Sequence, residues 1–496
     1  MWFIIGREGD PVNINKSFKE FAIERFTRIK PDENSLFNDK TVVIQEFPKQ
    51  SRLMCIKKCI FYDSTCQFFQ FTNTSKCTIY SSFKRENLND IKDVFMRKKK
   101  LPRIYFLNGS FLERTQLDNL FNVSNLSLNK ISLIGPFAFV NSNKTTILDL
   151  SYNNLTIIYS KSFYGMFNLK TLNLTANQIS LLESDAFKDL SKLAFLDLGN
   201  NSLRYLDENI FDNLQELKNI NLEFNQIELI EKYTFKNLIK LENIFLNNNY
   251  LKFLGLFFHN LTSFLYLDVS FNQIRFVHND TFRSLKNLKT ILISYNQITE
   301  INSETFKGAT NLKKLDMKLN KIERIDTQFI INFPLLEDLD LSQSNLSFIE
   351  SDFFKGFVNL KNLILYKSNI NRIDLNSLKN LKFLYLSDNK INFFSQNLSS
   401  LVSLHLTFNP LGNLTYPLIN VPNSILETLS ISHCKLTNID FDILRNFTKL
   451  KTLGIAGTLM KLKNDTFDGF KSLKTVFINL NETERFKFLY PNINFQ

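Results

Sequence analysis

The sequence of 496 residues is poor in the residue types on which most enzyme sites depend. It holds 13 glycines, 10 prolines and 4 histidines. The histidines are far apart in the chain: His259, His278, His405 and His433. The glycine-rich phosphate-binding fingerprints, the H-E-x-x-H zinc motif and the G-x-S-x-G nucleophile motif are all missing. The sequence therefore predicts a non-enzyme with no catalytic residue, cofactor or metal site.

Long apolar runs are missing as well. No run reaches the roughly 18 residues that a membrane-spanning helix needs. The apolar start Met1–Ile5 is too short for a signal peptide, and Arg7 and Glu8 end it. The sequence predicts no membrane span in this chain, and no export signal is visible in it.

Leucine and asparagine, in contrast, recur in a fixed pattern. The stretch Leu148-Asp149-Leu150-Ser151-Tyr152-Asn153-Asn154-Leu155 returns as Leu172–Asn177 and Leu196–Asn201. Successive asparagines stand 23 or 24 residues apart, at Asn153, Asn177, Asn201, Asn225, Asn249, Asn272, Asn296 and Asn320. Each unit reads L-x-x-L-x-L-x-x-N-x-L, which identifies it as a leucine-rich repeat.

The spacing of these residues assigns each a structural part. Leucines two apart point to one side of a short strand, so a stack of parallel strands buries them together. The asparagine carries a donor and an acceptor and can satisfy backbone groups in its own turn and in the neighbouring unit. Four units replace this asparagine with a residue that can still donate a weaker hydrogen bond: Ser344, Ser368, Cys434 and Thr458.

A phenylalanine about ten residues after the asparagine recurs in most units and is expected to stack on its counterparts. The column is Phe139, Phe163, Phe187, Phe211, Phe235, Phe258, Phe282, Phe306, Phe354 and Phe467. We interpret these rings as core residues and not as a ligand cage.

The first hundred residues differ from the repeats. Four of the five cysteines, Cys55, Cys59, Cys66 and Cys77, lie within 23 residues. Their spacings do not match paired zinc hooks, and no histidine is near, so two disulfides fit better than zinc. Four cysteines allow three pairings. Strands are predicted at Val42–Ile44, Cys66–Phe71 and Cys77–Tyr80, with a short helix after Ser51.

The order C-x3-C-x6-C-x2-F-x-F-x5-C-x-I resembles a PAN/apple domain, in which a helix is stapled onto an antiparallel sheet. The resemblance implies that Cys55 bonds Cys77 and that Cys59 bonds Cys66. The outer cysteine pair of the full apple pattern is missing here.

The predicted fold is α/β: a curved leucine-rich repeat solenoid, a horseshoe with parallel strands on its concave face, preceded by a small disulfide-stapled α+β PAN/apple-like domain. The predicted divisions are an irregular segment (1–40), the PAN/apple-like domain (41–100), a linker and repeat cap (101–128), about sixteen repeats (129–485) and a tail (486–496).

Two features favour an extracellular protein, secreted or on the cell surface. Disulfides persist in oxidising compartments, and the chain has 17 N-glycosylation acceptors, roughly twice the number expected by chance. The 24-residue units with an internal phenylalanine resemble those of Toll-like receptor ectodomains and matrix leucine-rich proteins. That resemblance implies a protein-binding receptor ectodomain or a secreted recognition protein.

Aromatic residues at outward-facing strand positions are the predicted ligand-binding residues, because burying them requires a partner. One cluster comprises Phe245, Tyr266, Phe271, Leu292 and Tyr295. The preferred cluster comprises Ile364, Tyr366, Phe383, Tyr385, His405 and Phe408, where two repeats shorten to 21 and 20 residues. The column Asp149, Asp197, Asp268, Asp316 and Asp340 is interpreted as a solvated strand face.

Two alternatives to extracellular protein binding stand beside it. One is a cytosolic leucine-rich repeat scaffold with reduced cysteines. The other is a glycan-binding protein, because residues 1–105 hold 20 Lys/Arg against 12 Asp/Glu and include the run Arg97–Arg103. That run could attract a sulfated glycan. It lacks the interleaved aromatics of a nucleic-acid surface, so no nucleic acid is predicted. The sequence leaves the oligomeric state open.

Overall fold

The computed structural model describes the backbone of six short segments near the N-terminus and most of residues 123–496. The short segments are residues 43–47, 68–71, 77–80, 94–96, 105–107 and 110–112; within the long part, 327, 330–332, 348, 350–352 and 422–423 are not described. The chain divides into two compact units, Met1–Arg103 and Ile104–Gln496.

The first unit contains a four-stranded antiparallel sheet with the order β1-β3-β2-β4. Its strands are β1 (Val43–Phe47), β2 (Phe68–Phe71), β3 (Cys77–Tyr80) and β4 (Val94–Met96). The three strands predicted here are thus present as β1, β2 and β3. The predicted short helix and the side chains of the four cysteines lie outside the described residues.

The second unit begins with an antiparallel sheet and continues as one long parallel sheet. The antiparallel sheet contains β5 (Tyr105–Leu107), β6 (Ser110–Leu112) and β8 (Ile131–Ile134). The long sheet contains β7 (Val123–Asn125), β9 (Ile147–Asp149), β11 (Thr171–Asn173), β13 (Phe195–Asp197), β15 (Asn219–Asn221), β17 (Asn243–Phe245), β19 (Tyr266–Asp268), β21 (Thr290–Leu292), β23 (Lys314–Asp316), β25 (Asp338–Asp340), β26 (Asn362–Ile364), β27 (Phe383–Tyr385), β28 (Ser403–His405), β30 (Thr428–Ser430), β32 (Thr452–Gly454), β33 (Thr475–Phe477) and β34 (Asn494–Phe495).

Each strand of the long sheet pairs in parallel with the next one along the chain, and equivalent residues face each other. Leu172, for example, lies opposite Leu148 on one side and Leu196 on the other. In most strands the middle residue is buried, whereas the residues before and after it are partly exposed. This alternation confirms the strand pattern that the paired leucines predict, and the second unit is a parallel-strand solenoid.

Shorter strands lie on the outer side of many repeats. They are β10 (Ile157–Ile158), β12 (Leu181–Leu182), β14 (Tyr205–Leu206), β16 (Leu229–Ile230), β18 (Phe253–Leu254), β20 (Phe276–Val277), β22 (Glu300–Ile301), β24 (Arg324–Ile325), β29 (Asn413–Leu414) and β31 (Asn438–Ile439). Between β24 and β29 the described residues contain no outer strand, and the two short repeats fall in this interval.

The repeated asparagines form a hydrogen-bonded ladder. Asn201 is buried; its Nδ2 donates to the carbonyls of Leu174, Leu198 and Gly199, and its Oδ1 accepts from the N–H of Ile179. One side chain thereby satisfies its own turn and the preceding unit, as predicted.

The substituted ladder positions do not all behave alike. Ser368 Oγ donates to the carbonyls of Leu341 and Tyr366, and Cys434 Sγ donates to that of Leu406. Ser344 Oγ is buried and has no hydrogen-bond partner among the described residues. The expectation that every substitute donates a hydrogen bond is therefore wrong for Ser344. Cys434 is a buried free thiol, and burial raises its pKa to about 11.

The phenylalanine column forms a continuous stack in the first repeats. Consecutive rings from Phe139 to Phe258 lie nearly parallel, with centroids 5.8–6.2 Å apart. All ten predicted rings are buried. This confirms their interpretation as core residues.

Helices are short and sit late in the solenoid. In the described residues they are α1 (Phe441–Arg445), whose N-cap Asp440 accepts from the N–H of Asp442, and α2 (Leu480–Leu489). Phe486 of α2 is buried against Phe467 and Phe495. Strand β34 pairs with β33, so α2 and β34 close this end of the core with aromatic side chains.

Candidate functional site

The solvent-facing side of the long sheet, called the sheet face below, presents the first and third residues of each strand. Because the strands are in register, these residues form two columns along the solenoid. The predicted ligand-binding residues lie in these columns or in the turn that follows each strand. The predicted concave face corresponds to this surface.

The preferred cluster is assembled mainly by β26, β27 and β28. Ile364, Tyr385 and His405 are register neighbours in the third column. The Tyr385 and His405 rings stack with centroids 4.7 Å apart, and His405 Nε2 lies 2.9 Å from Ser403 Oγ. Phe383 lies in the first column and is 37% exposed. Burial lowers the pKa of His405, which favours its neutral form near pH 7.

The other two members of this cluster lie in the turns after the strands. Tyr366 is 40% exposed, and its N–H donates to Ser342 Oγ. Phe408 is 56% exposed and stacks on His433 with centroids 4.7 Å apart. The structure thus adds His433 to the surface, a residue that the sequence pattern did not single out.

The other predicted cluster divides into two ring pairs. Phe245 and Tyr266 lie on adjacent strands with centroids 5.3 Å apart. Phe271 and Tyr295 stack at 4.0 Å in successive turns. Leu292 continues the third column after Asp268.

The residue before each ladder position has a left-handed backbone, which the sequence analysis missed. The φ angles lie between 50° and 59° at Leu128, Tyr152, Ala176, Asn200, Phe224, Asn248, Phe271, Tyr295, Leu319, Gln343, Lys367, Asp388, Phe408 and His433. Non-glycine residues rarely adopt this region. The signal in the sequence that could have predicted this conformation is the fixed offset from the ladder position. The left-handed residue makes the turn that brings the ladder residue into the core.

A groove of about 500 Å³ lies on the sheet face between the acidic column and the preferred cluster. Asp316, Asp338 and Asp340 line one side, and Ile364, Phe383 and Tyr385 line the other, with Asn362 between them. The two cations of the groove are Lys314 and Lys318, and Lys318 Nζ lies 3.2 Å from Asp316 Oδ2.

The acidic column is less solvated than the sequence analysis expects. The side chain of Asp316 is only 14% exposed to solvent. Burial, reinforced by the charge of Asp316, raises the pKa of Asp340 against the opposing effects of Ser342 and Lys318. Burial likewise raises the pKa of Asp268. Asp268, Asp316 and Asp340 are thus partly exposed residues of the strand face, with less contact with solvent than an open surface provides.

The described part of the chain contains neither a candidate metal site nor a candidate membrane span. There, no group of three or more His, Cys, Asp or Glu side chains is placed to hold a metal ion. Within the same residues, no helix has the length and apolar character needed to cross a membrane.

Comparisons with known proteins agree with this architecture. The model of the BspA-type leucine-rich repeat region matches residues 132–265 and 420–494, and a second leucine-rich repeat model matches 286–346 and 334–391. The chain is a leucine-rich repeat protein, a class that acts generally in protein binding and is typically not enzymatic. No curated protein matches it.

Solved structures resemble the chain in fold at low sequence identity. A leucine-rich repeat protein of Leptospira interrogans is 22% identical, with a TM-score of 0.65 over 77% of this chain and 97% of that one. A chain of the Drosophila Toll–Spatzle complex is 20% identical, with a TM-score of 0.63 over 72% of this chain and 50% of that one. An internalin of Listeria monocytogenes is 22% identical, with a TM-score of 0.50 over 73% and 92%.

Proposed function

We propose that this protein is an extracellular recognition protein that binds a protein partner on its sheet face. The observation that carries the proposal is the aromatic strip formed by Phe383, Tyr385 and His405 on adjacent strands. Partly exposed aromatic side chains next to a groove are typical of the residues that dominate binding energy at protein interfaces.

The position of the glycosylation acceptors supports this surface. Of the 17 acceptors, Asn125 and Asn173 lie in strands of the long sheet. The sheet strands from β13 to β33 hold no acceptor, so no glycan would be attached to their own side chains. The aromatic strip lies in that interval.

Fold analogy adds support of a weaker kind. One structure with this fold is a chain of the Toll–Spatzle complex. Fold alone does not transfer a ligand, so the partner must be identified from the chemistry of the surface.

The binding proposal is tested by truncating the strip. The double variant Phe383→Ala/Tyr385→Ala should weaken binding to a partner, selected from an array of secreted proteins, by at least about tenfold. Phe276→Ala is the matched control, because this ring is 57% exposed but lies on the outer strand β20. Equal affinity of the wild type and the strip variant would contradict the proposal.

For the N-terminal unit we propose a PAN/apple-like domain with the pairs Cys55–Cys77 and Cys59–Cys66. The sheet order β1-β3-β2-β4 supports it, because β2, which follows Cys66 in the sequence, and β3, which begins at Cys77, pair antiparallel. Two disulfides would also favour an oxidising compartment.

Mass spectrometry distinguishes the extracellular protein from a cytosolic scaffold. In denaturant without reductant, alkylation should modify one cysteine, Cys434; after reduction it should modify all five. Five modified cysteines without reductant would favour the scaffold. Peptide mapping of the bridged fragments then tests the two proposed pairs.

The basic run Arg97–Arg103 supports a second candidate function, binding of a sulfated glycan. Charge reversal at Lys98, Lys99 and Lys100 should then abolish retention on heparin. Unchanged retention would exclude this run as the glycan site.

A further inference from the structure

The sheet face has a charge opposite to that of the whole chain. The chain carries a formal net charge of +12. The third column of the long sheet contains Asp149, Asp197, Asp268, Asp316 and Asp340 and, in the described strands, no lysine or arginine. A protein surface that differs in sign from the rest of the molecule selects partners of complementary charge.

The groove is where this acidic column meets the aromatic strip. Asp338 and Asp340 on β25 are register neighbours of Asn362 and Ile364 on β26. Those two residues are neighbours of Phe383 and Tyr385 on β27 in turn. Adjacent strands are about 4.8 Å apart, so the backbones of β25 and β27 are about 10 Å apart. Asn362 and Ile364 form the floor between them, and the groove of about 500 Å³ above this floor has room for one side chain that reaches both the carboxylates and the rings.

The local cations leave the groove negative. Lys318 is paired with Asp316, and Lys314 is the register neighbour of Asp338. Three aspartates against two lysines leave one formal negative charge among the lining residues. Asp340 Oδ1 accepts from the N–H of Ser342, and Asp338 Oδ1 accepts from Asn362 Nδ2. Each carboxylate keeps a second oxygen, and carboxylate oxygens have acceptor capacity for more than one donor.

We propose that this groove receives an arginine side chain of the protein partner, between Asp338 and Asp340 on one side and Phe383 and Tyr385 on the other. The inference rests on the proposed function and specifies the chemistry of its partner. A guanidinium group donates hydrogen bonds to carboxylates in its own plane and stacks its flat face on aromatic rings. An ammonium group also donates to carboxylates, but it is a compact point charge with no flat face to stack. Arginine is therefore favoured over lysine.

The test begins with a display library of short random peptides, selected on the purified full chain. Peptides that bind the sheet face are expected to contain arginine. In a synthetic copy of such a peptide, citrulline in place of the arginine removes the charge while keeping the shape. We expect this change to weaken binding by about tenfold or more, and lysine in the same place to weaken it as well.

Protein variants locate the site. The double variant Asp338→Asn/Asp340→Asn should lower the affinity for the arginine peptide about tenfold. Asp149→Asn/Asp197→Asn is the matched control, because it removes two charges from the same sheet face far from the aromatic strip, and it should leave the affinity within about twofold. Equal losses for the two pairs would indicate general attraction to the acidic column and overturn the proposal. The citrulline comparison leaves the protein unchanged, so it remains decisive if a variant folds poorly.

Failure of this inference is distinguishable from failure of the proposed function. Selected peptides without arginine that still require Phe383 and Tyr385 would overturn the arginine site and leave sheet-face binding standing. Selected peptides that are insensitive to both the aspartate and the aromatic variants would overturn both.

Discussion

At the scale of single residues, equivalent ladder positions differ in how well their buried polar side chains are hydrogen-bonded. Asn201 makes four hydrogen bonds to buried backbone groups, whereas Ser344 at an equivalent position has no partner for its hydroxyl among the described residues. Both residues are buried and polar. A buried hydroxyl without a partner destabilises the fold, since it has lost its hydrogen bonds to water.

The two positions should therefore respond oppositely to alanine. Asn201→Ala removes bonds to three carbonyls and one N–H, and we expect it to lower the free energy of unfolding by roughly 3 kcal/mol. Ser344→Ala removes an unsatisfied hydroxyl and should be neutral or slightly stabilising. Urea denaturation followed by circular dichroism measures both. A large loss for Ser344→Ala would reveal a partner for its hydroxyl.

Asp340 should make stability depend on pH in the direction opposite to that of an ordinary salt-bridged carboxylate. Its pKa is raised in the folded state, so the folded protein favours the protonated form more than the unfolded chain does. The contribution of Asp340 to the free energy of unfolding is then fully present at low pH and is lost as the pH rises through the raised pKa. Asp340→Asn, which keeps an oxygen for the N–H of Ser342, should raise the urea midpoint at pH 7.

The gain from Asp340→Asn should shrink as the pH falls toward about 4 and disappear well below it, where the aspartate is protonated in both states. Asp268→Asn is a parallel test, because burial also raises the pKa of Asp268 and its Oδ1 likewise accepts from a backbone N–H, that of Ser270. A variant less stable than the wild type at pH 7 would contradict the argument. A partly buried carboxylate that lowers stability at pH 7 is the kind of residue that a binding site contains.

At the scale of elements, the phenylalanine stack joins successive repeats through direct ring contacts. Phe235 lies between Phe211 and Phe258, with centroids 5.8 and 6.2 Å away. Phe235→Ala should lower the free energy of unfolding by about 3–5 kcal/mol, because it opens a cavity in a close-packed column. Ile239→Ala, at a side chain that is 51% exposed in the same repeat, is the control and should change it by less than about 1 kcal/mol.

The sequence predicts the elements of the repeat well, because each follows from a short-range rule. Paired leucines specify the strand, the asparagine specifies the turn, and the phenylalanine specifies the outer core. The left-handed residue before each ladder position and the closing arrangement of α2 with β34 were not predicted. Both depend on how the backbone returns to the core, and the residues involved, such as Tyr295 and Leu480, share no residue type that marks the position.

The candidate site was predicted only in part for a similar reason. Register arithmetic placed Ile364, Tyr385 and His405 side by side correctly. It did not predict that Asp338 and Asp340 form the opposite wall of a groove, because side-chain burial depends on packing between strands. His433 was missed since its ring joins the surface by stacking on Phe408 from the next repeat.

At the scale of the whole molecule, a solenoid is held together by contacts between neighbours. The effect of Phe235→Ala on hydrogen exchange should accordingly be local. Amides of β13 to β19 should exchange faster, while those of β30 to β33 should keep wild-type rates. Equal acceleration in both regions would mean that the repeats unfold as one cooperative unit. The comparison can be made on the same sample used for the urea measurement.

The two short repeats have a consequence for how such a chain can vary. Residues are lost there from the outer side, yet Leu363, Leu384 and Leu404 stay in register across β26 to β28. The number of residues on the outer side of a repeat is thus independent of the side chains that the repeat presents on the sheet face. The segment from one ladder position to the next therefore acts as an exchangeable unit. Units of unequal length can replace one another without shifting the sheet-face residues of the neighbouring repeats.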